Sequence, residues 1–366
     1  LARVIDSLGR ISKHVGYMTG SPVKNDASEI HDQLVKIAPD KYGPGADKIG
    51  RAEFMRRYGG DTTASAAALR RELAKHTYLG RIDPGTDASY HHETLAPSEP
   101  QRARLAEIER AYMDARRAKQ RGDVDIDAVR RLSPGAFKDV PKDQHHDVAK
   151  RLSAALGMAR DAAFNHAVNI HPEGAKLDRI AEIVKQRTAE TGHDGKPKAG
   201  VVFARNMDAV EAIRARLEKD GHKVVTLTGK DAADKKAEAK DAFQGGHADV
   251  IVLSNAGATG ANLHRGSYEI QHDIPQTYMT WDQRQARINR MDPTQKGGPP
   301  RKLDVHTLAL DHAWEHANKA CLERKEALHD ALFDGAGERL DDTGLAHYLR
   351  ERLRPEMNEA GEERAA

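Results

Sequence analysis

The sequence predicts an α/β protein whose second half is built on a parallel β-sheet. From about Lys198, apolar runs with strand composition alternate with helical segments. The apolar runs are nearly continuous, which is typical of parallel strands covered by helices on both faces. The predicted strands span residues 199–205, 222–229, 248–254, 267–274 and 302–310.

Helices are predicted between these strands by apolar spacing and by residues typical of helix ends. Val210, Ile213 and Leu217 fall on one helical face. Asp208 is the expected N-cap of that helix, and Gly221 lies just beyond its C-terminus. Further helices are predicted at residues 175–187, 231–243 and 280–291.

The first half of the chain is less regular. Short strands are predicted at residues 14–22 and 90–97, and a charged helix at 99–120. Residues 133–147 break the helical pattern and are predicted to form a surface loop. A hydrophilic linker at 188–200 then precedes the first strand of the second half.

Composition excludes several classes of protein. The chain has 366 residues, which is long enough for two domains. Its 58 lysines and arginines against 56 acidic residues give a net charge of +2, so only local basic patches can attract nucleic acid. Aromatic residues make up 5% of the chain, which argues against base stacking as the main binding device. Cys321 is the only cysteine, so a disulfide framework and a cysteine-based zinc site are excluded.

The chain carries no sign of membrane insertion or secretion. Its first residues, LARVIDSLGR, are unlike a signal peptide, and no apolar run approaches membrane-spanning length. We therefore expect a soluble, cytoplasmic protein with no membrane partner. The chain begins with Leu1 instead of methionine, which indicates a fragment.

The segment SNAGATGANL, from Ser254 to Leu263, follows the apolar run 250–253 directly. Its two glycines and its asparagine fit an ordinary turn. They also fit a site where the backbone approaches a ligand, because ligands of α/β sheets bind beyond the carboxyl ends of the strands. Both interpretations remain open from this segment alone.

The second unusual segment is DQRQARINRM at residues 282–291, with the spacing Q-x-x-A-R-x-x-R. On a continuous helix, Gln283, Arg287 and Arg290 share one face. Guanidinium groups suit phosphate, because they stay charged and donate two parallel hydrogen bonds. The alternative is a solvated charged helix, which is the commoner explanation of such a run taken alone.

Taken in order, these segments resemble the motifs of superfamily-two helicases, most of all Swi/Snf-like DNA translocases and their phage or plasmid relatives. The resemblance covers about residues 11–310, and its specificity lies in the ordered set. Ala286 stands where the family usually has glycine or an acidic residue. The third to sixth family motifs are similar to residues 17–26, 201–206 with 226–229, 252–263, and 283–290, and residues 290–296 are similar to the segment that follows them.

The resemblance implies a role for ten residues. Arg287 and Arg290 would be the catalytic arginines, which act on ATP bound with Mg²⁺. The residues implied near the nucleotide are Gly260, Asn262 and Gln283. The residues implied to face the backbone of double-stranded DNA are Arg205, Thr228, Ser254, Asn255 and Thr259. The phage or plasmid relatives imply a bacterial or phage-infected cell.

No phosphate-binding P-loop is found in the sequence. The segments at 193–200 and 227–234 do not fit G-x-x-x-x-G-K-[ST], and no acidic pair closes a strand in the first half. We therefore interpret the chain as the C-terminal part of a helicase-like ATPase, inactive alone, whose partner is the missing N-terminal lobe that also supplies the Mg²⁺ ligands. The expected domains are the end of a first RecA-like lobe with a helical insertion (1–170), a second RecA-like lobe (171–325) and a helical or disordered tail (326–366).

Two functional classes remain open on the sequence alone. The first is an ATP-driven DNA helicase or translocase, and the second is a degenerate RecA-like lobe that serves as a non-catalytic nucleic-acid-binding or scaffold module. No metal site is expected, because the pairs His91-His92 and His145-His146 lack partners at ligand spacing. The arginines of 99–131 either follow a duplex or form a solvated face, and we favour the solvated face.

Overall fold

In a computed structural model of the chain, the structure describes residues 28–59, 63–76, 86–171, 173–192, 195–256, 261–275, 277–289 and 300–333. The chain forms two compact units. One unit, which we call the helical unit, comprises residues 1–83, 275–283 and 317–366. The other, which we call the sheet unit, comprises residues 84–274 and 284–316.

The sheet unit is built on six strands, all parallel, in the order β1-β6-β5-β2-β4-β3. The predicted α/β class with a parallel sheet is confirmed, and each strand predicted in the second half is present with slightly different ends. The strands are β1 (Thr86–Leu95), β2 (Ala199–Phe203), β3 (Val224–Leu227), β4 (Val250–Leu253), β5 (Gly266–Gln271) and β6 (Arg301–Leu310).

Helices cover both faces of the sheet, which explains why its central strands are apolar throughout. On one face, α8 (Ala175–Thr188) and α9 (Met207–Lys219) pack on a core that contains Val202 and Val252. On the other face, Phe243 of α10 (Ala233–Gln244) packs against Phe203, Ile251 and their neighbours. Burial of these apolar side chains is the main stabilising contribution to the unit.

Gly200, in β2, allows a close approach between neighbouring strands. A Cβ atom at this position would lie 2.4 Å from the ring of Tyr268, which is fully buried in β5. Any larger residue at position 200 would therefore displace a core aromatic ring. The composition of β2 thus depends on its partner as well as on its own strand propensity.

Four helices lie between β1 and α8: α4 (Glu99–Gln120), α5 (Ile126–Leu132), α6 (His145–Ala154) and α7 (Leu156–Asn169). They form a second core together with Leu310 at the end of β6. The predicted surface loop at 133–147 contains two short 3-10 helices, and its Phe137 is buried in this core.

The observed division of the chain differs from the predicted domains. β1 pairs with β6 along its whole length, from Thr86 opposite Arg301 to Leu95 opposite Leu310. Residues 86–169 therefore belong with the second-half strands and not with a separate lobe that ends at 170. The sequence missed this because β1 is an edge strand with alternating exposure, and such a pattern does not identify the neighbouring strand. The predicted strand at 14–22 lies outside the described residues.

The N-cap of α9 is also different from the prediction. Asn206, not Asp208, is the residue before the first helical turn, so Asp208 lies inside that turn. A carboxylate there still interacts favourably with the helix dipole. Gly221 does end the helix as predicted, with φ of +90°.

The described part of the helical unit contains three short helices, α1 (Ser28–Ile37), α2 (Arg51–Tyr58) and α3 (Thr63–Leu73). Ile30, Leu34 and Phe54 contribute to a small apolar core. Two further helices are α11 (Tyr278–Gln285) and α12 (Ala313–Phe333). Across the ranges that the structure describes, no helix is long and apolar enough to span a membrane.

Candidate functional site

Polar residues follow four neighbouring strands of the sheet at the same edge. In spatial order, β5 is followed by Asp273, β2 by Arg205, β4 by Asn255 and β3 by Thr228. Because parallel strands end at the same edge, these residues form one polar surface, which is where ligands of α/β sheets bind. We call it the carboxyl edge.

Arg284, in the last turn of α11, is the central cation of this edge. Its side chain is 2% exposed, and each of its five N–H groups has an acceptor. Nε and Nη2 both donate to Asn255 Oδ1, at 2.9 and 2.7 Å. Nη1 donates to Gln271 Oε1 at 2.6 Å and to the Asp273 carbonyl at 3.3 Å, while Nη2 also donates to Asp273 Oδ2 at 3.0 Å.

Asp273 is the carboxylate that balances this charge. Burial alone would raise its pKa, but the charge of Arg284 and hydrogen bonds from Arg284 and the Arg205 backbone hold the pKa of Asp273 below its ordinary value. The Arg205 N–H donates to Asp273 Oδ1 at 2.6 Å. The guanidinium of Arg284 also lies 5.6 Å from the ring centre of Phe203. The ends of β2, β4 and β5 are thus fixed to one buried ion pair.

The predicted nucleic-acid residues divide into exposed and buried groups. Arg205 and Asn255 are exposed at the carboxyl edge. Thr228 is 3% exposed and Ser254 is 5% exposed, so both hydroxyls lie inside the protein. Thr259 lies outside the described residues.

The predicted arrangement of the arginine segment needs correction. Helix α11 ends at Gln285, so Arg287 lies in the following turn and does not share a helical face with Gln283, which is exposed. The chain leaves the helix because Ile288 is fully buried against the sheet and its carbonyl accepts a hydrogen bond from Arg301. Arg290 lies outside the described residues.

The turn that contains Arg287 is joined to the glycine-rich segment. The Leu263 N–H donates to the Arg287 carbonyl at 2.9 Å, and the Arg287 N–H donates to the Arg284 carbonyl at 3.0 Å. Next to Leu263, Asn262 has a buried Oδ1 atom with no partner within the described part of the chain. An acceptor in this position fits a polar ligand such as a nucleotide hydroxyl. Gly260, also predicted at the nucleotide, lies outside the described residues.

The sequence did not single out Arg284. It drew attention to Gln283, Arg287 and Arg290 through their family spacing and made no prediction for Arg284. The available signal was indirect. Glu269 and Gln271 lie on a predicted strand of an apolar sheet. Their buried polar side chains need hydrogen-bond partners inside the core, so a buried donor is expected nearby.

Glu269 is a fully buried carboxyl group in the middle of β5. Burial raises its pKa to about 8, although a hydrogen bond from Gln271 and the charge of Arg284 act in the opposite direction. His272, just after β5, is fully buried as well, and burial together with the charge of Lys176 lowers its pKa to about 4. Both groups are therefore uncharged at neutral pH.

Lys176 is a second buried cation that binds the segment after β5. Its Nζ donates to Glu315 Oε1 at 2.6 Å, to Asn169 Oδ1 at 2.9 Å and to the His272 carbonyl at 3.1 Å. Lys176 and Glu315 are each 1% exposed, and the second Glu315 oxygen accepts from the Leu310 N–H. The two residues after β5 are thus fixed by buried cations on both faces.

We predict that Glu269 makes folding stability fall as the pH rises. In the folded protein its carboxyl keeps a proton up to about pH 8, whereas the ordinary pKa is 4.5, so unfolding releases a proton between these values. His272 acts in the opposite direction, but only below its ordinary pKa of 6.5. Between pH 6.5 and 8 the unfolding free energy should therefore fall by about 2 kcal/mol, from one proton at about 1.4 kcal/mol per pH unit.

The measurement is urea denaturation at several pH values for the wild type and Glu269→Gln. Glutamine can still accept the bond from Gln271 but has no proton to lose, so the variant should have a flatter profile above pH 6.5. Equal slopes for the two proteins would show that Glu269 does not titrate in this range.

The comparisons with known proteins identify the central part of the chain. Residues 175–292 match the family model described as "Helicase conserved C-terminal domain". This part of the chain is similar to helicase C-terminal domains. It contains α8, β2 to β5 and α11, together with Arg284 and the carboxyl edge.

Curated proteins that are similar to this chain include the ATP-dependent RNA helicase RhlB. The Citrobacter koseri protein is 30% identical over 153 residues, which cover 38% of this chain and 36% of that protein. The Shewanella baltica protein is 28% identical over 153 residues, with 38% and 35% covered. The chain thus spans about a third or less of the relatives that it matches.

Two solved structures of ATPase C-terminal domains are also similar. The C-terminal part of the Fun30 ATPase domain has a TM-score of 0.46 at 14% identity, with 69% of this chain and 98% of that chain covered. The Sulfolobus solfataricus SWI2/SNF2 ATPase C-terminal domain has a TM-score of 0.41 at 16% identity, with 72% and 97% covered. The helicase part of the predicted resemblance is confirmed for residues 175–292, whereas the Swi/Snf-like type stays a prediction because the curated relatives are RNA helicases.

The described part of the chain holds no group of three histidine, cysteine, aspartate or glutamate side chains arranged to bind a metal ion.

Proposed function

We propose that this chain supplies the C-terminal RecA-like lobe of an ATP-dependent helicase or translocase. The observation that carries the proposal is the arrangement around Arg284. This residue joins the glycine-rich segment, through Asn255, to the turn that contains Arg287. The described residues of the two segments that resemble helicase motifs are therefore hydrogen-bonded to each other at the carboxyl edge.

Asn262 and Arg287 are described residues proposed at the nucleotide, and the sequence resemblance adds Gly260 and Gln283 to the proposal. Asn262 Oδ1 has no partner among the described residues, which supports this because the atom can accept a hydrogen bond from a ligand hydroxyl. ATP bound with Mg²⁺ supplies the phosphoryl group for transfer to water. Arg287 and Arg290 would stabilise the negative charge that develops on the transferred group, and the Mg²⁺ ligands would come from the other lobe of the same protein.

The exposed residues of the carboxyl edge are proposed to bind the nucleic-acid backbone. Arg205 and Asn255 are exposed there, and phosphate contacts of such side chains orient a strand without reading its sequence. We propose double-stranded DNA as the substrate, on the sequence resemblance to DNA translocases. The curated relatives are RNA helicases, so RNA is the competing substrate.

We predict binding that depends strongly on salt and hardly on base sequence. Each neutralised phosphate contributes about −0.9 to the slope of log K against log salt for B-DNA, while contacts to the backbone do not distinguish bases. The measurement is fluorescence anisotropy with the natural full-length protein, two unrelated DNA duplexes and RNA duplexes of the same sequences, at several salt concentrations.

Arg205→Gln should weaken binding to both DNA sequences equally and lower the salt slope by about one contact. The matched control is Arg214→Gln, which removes an exposed arginine of α9 that pairs with Glu218. Strong discrimination between the two DNA sequences at equal salt would contradict backbone binding. Tighter binding to RNA than to DNA would replace DNA by RNA as the substrate.

A further inference from the structure

Two hydroxyl groups of β1 bind residues on both sides of Arg287. The Thr86 hydroxyl donates a hydrogen bond to Asn289 Oδ1, and the Tyr90 hydroxyl donates to Gln285 Oε1 at 3.1 Å. Asn289 lies two residues after Arg287, and Gln285 lies two residues before it. The edge strand of the sheet thus contacts the chain immediately before and immediately after this arginine.

These contacts follow from the position of β1 in the sheet. Side chains alternate along a strand, so Thr86, Ala88 and Tyr90 lie on one face of β1. Ala88, between the two hydroxyl residues, packs against the core cluster that contains Ile288. Arg301, which lies opposite Thr86 on β6, donates to the Ile288 carbonyl. The turn after α11 therefore contacts side chains of both strands.

Gln285 connects the Tyr90 hydroxyl to the backbone of this turn. The Gln285 carbonyl accepts from the Ile288 and Asn289 N–H groups, at 3.0 and 2.8 Å. Gln285 is 6% exposed, and its Nε2 atom has no partner within the described ranges. Loss of the Tyr90 hydroxyl would therefore leave both polar atoms of a buried amide without a partner in the described part of the chain, which is unfavourable.

We propose that Tyr90 and Thr86 are positioning residues, which fix Arg287 at the place where it acts on the transferred phosphoryl group of ATP. The inference rests on the proposed function, because it takes the role of Arg287 from there. An arginine stabilises developing charge best when it is held in position before the reaction. β1 lies outside residues 175–292, so residues beyond the matched part of the chain would contribute to placing its arginine.

The first measurement is ATP turnover by the natural full-length protein at saturating nucleic acid. Tyr90→Phe removes only the hydroxyl and should lower kcat about 3- to 10-fold, the factor that corresponds to one neutral hydrogen bond. KM for ATP should not change, because the arginine would act on charge that develops only in the transition state. The matched control, which should keep the wild-type kcat, is Tyr112→Phe on α4, whose ring packs against the second core.

Thr86 provides an independent pair of variants. Thr86→Val removes the hydroxyl that binds Asn289 and should lower kcat by a similar factor, whereas Thr86→Ser keeps the hydroxyl and should retain wild-type turnover. A melting curve is recorded for each variant. A kcat that falls only in proportion to the fraction of protein unfolded at the assay temperature would overturn the positioning role.

A double-mutant cycle tests whether Tyr90 acts through Arg287. The measured quantity is the affinity for ADP with aluminium fluoride and Mg²⁺, an analogue of the transition state, compared with the affinity for ADP with Mg²⁺. Tyr90→Phe should weaken binding of the analogue about 3- to 10-fold and leave ADP binding unchanged. In an Arg287→Ala background the same substitution should have almost no further effect. Fully additive losses would show that Tyr90 acts independently of Arg287, which would overturn the inference.

Failure of the inference and failure of the proposed function give different results. The wild type could prefer the analogue to ADP and lose this preference on Arg287→Ala, while Tyr90→Phe and Tyr112→Phe both behave as the wild type. The positioning role would then be wrong and the proposed function would stand. A wild-type protein that neither hydrolyses ATP nor prefers the analogue would overturn the proposed function, and this inference with it.

Discussion

Arg284→Met is expected to destabilise the sheet unit by about 3–5 kcal/mol, because it leaves a buried carboxylate without its counter-charge. The charge left behind is that of Asp273, which is fully buried and also binds the Arg205 N–H. Asn255 and Gln271 lose their donors in the same substitution. The measurement is the free energy of unfolding from denaturant titration at neutral pH.

Two further variants make this test specific. Asp273→Asn combined with Arg284→Met removes both charges, so the double variant should be more stable than the sum of the single effects predicts. Gln283→Met is the matched control, since it changes the preceding, exposed residue of the same helix. A loss below about 0.5 kcal/mol in Arg284→Met, within the range of ordinary surface substitutions, would show that the buried ion pair is not a major support of this edge.

The second large effect is expected at the proposed catalytic arginines. Arg290→Ala should lower nucleic-acid-stimulated ATP turnover on the order of 10³–10⁵-fold, as loss of an arginine finger does in related chemistry. Arg287→Lys should also lose ATP turnover, since an ammonium group cannot reproduce the two parallel hydrogen bonds of a guanidinium. Turnover by the full-length protein is measured beside a melting curve for each variant.

The control for these arginines is Arg214→Ala. Arg214 is an exposed arginine of α9 that pairs with Glu218, and loss of such a surface pair costs about 0–1 kcal/mol and no activity. If Arg290→Ala and Arg287→Lys retain near-normal turnover, the arginines serve only as surface charges. That result would favour the alternative function, a non-catalytic nucleic-acid-binding or scaffold module.

The fold of the second half of the chain was predictable because the residue types that favour strands and helices there are also the ones that the core buries. β2 and β4 consist of buried apolar residues that are strand-forming and are covered on both faces, so their sequence reflects their place in the sheet. Helix α9 was predictable for the same reason, since Val210, Ile213 and Leu217 all face the core. Its N-cap was misassigned because Asn206 and Asp208 both favour helix starts.

The parts that could not be predicted depend on contacts between residues far apart in sequence. The partner of β1 is β6, more than 200 residues away, and no local pattern records that pairing. The end of α11 at Gln285 follows from burial of Ile288 in the sheet core, against a helical pattern that continues in the sequence. The inward direction of Thr228 likewise depends on the fold of the following turn, which the motif resemblance behind its predicted role does not describe.

The most direct test is the ATP turnover of the natural full-length protein, measured with and without nucleic acid. The proposed function predicts turnover that rises when a DNA or RNA duplex is added. It also predicts that residues 1–366 alone show none above a buffer control, because no P-loop is found in their sequence. A full-length protein that binds nucleic acid without hydrolysing ATP, or a 366-residue chain that turns over ATP by itself and loses this on Arg290→Ala, would contradict the account.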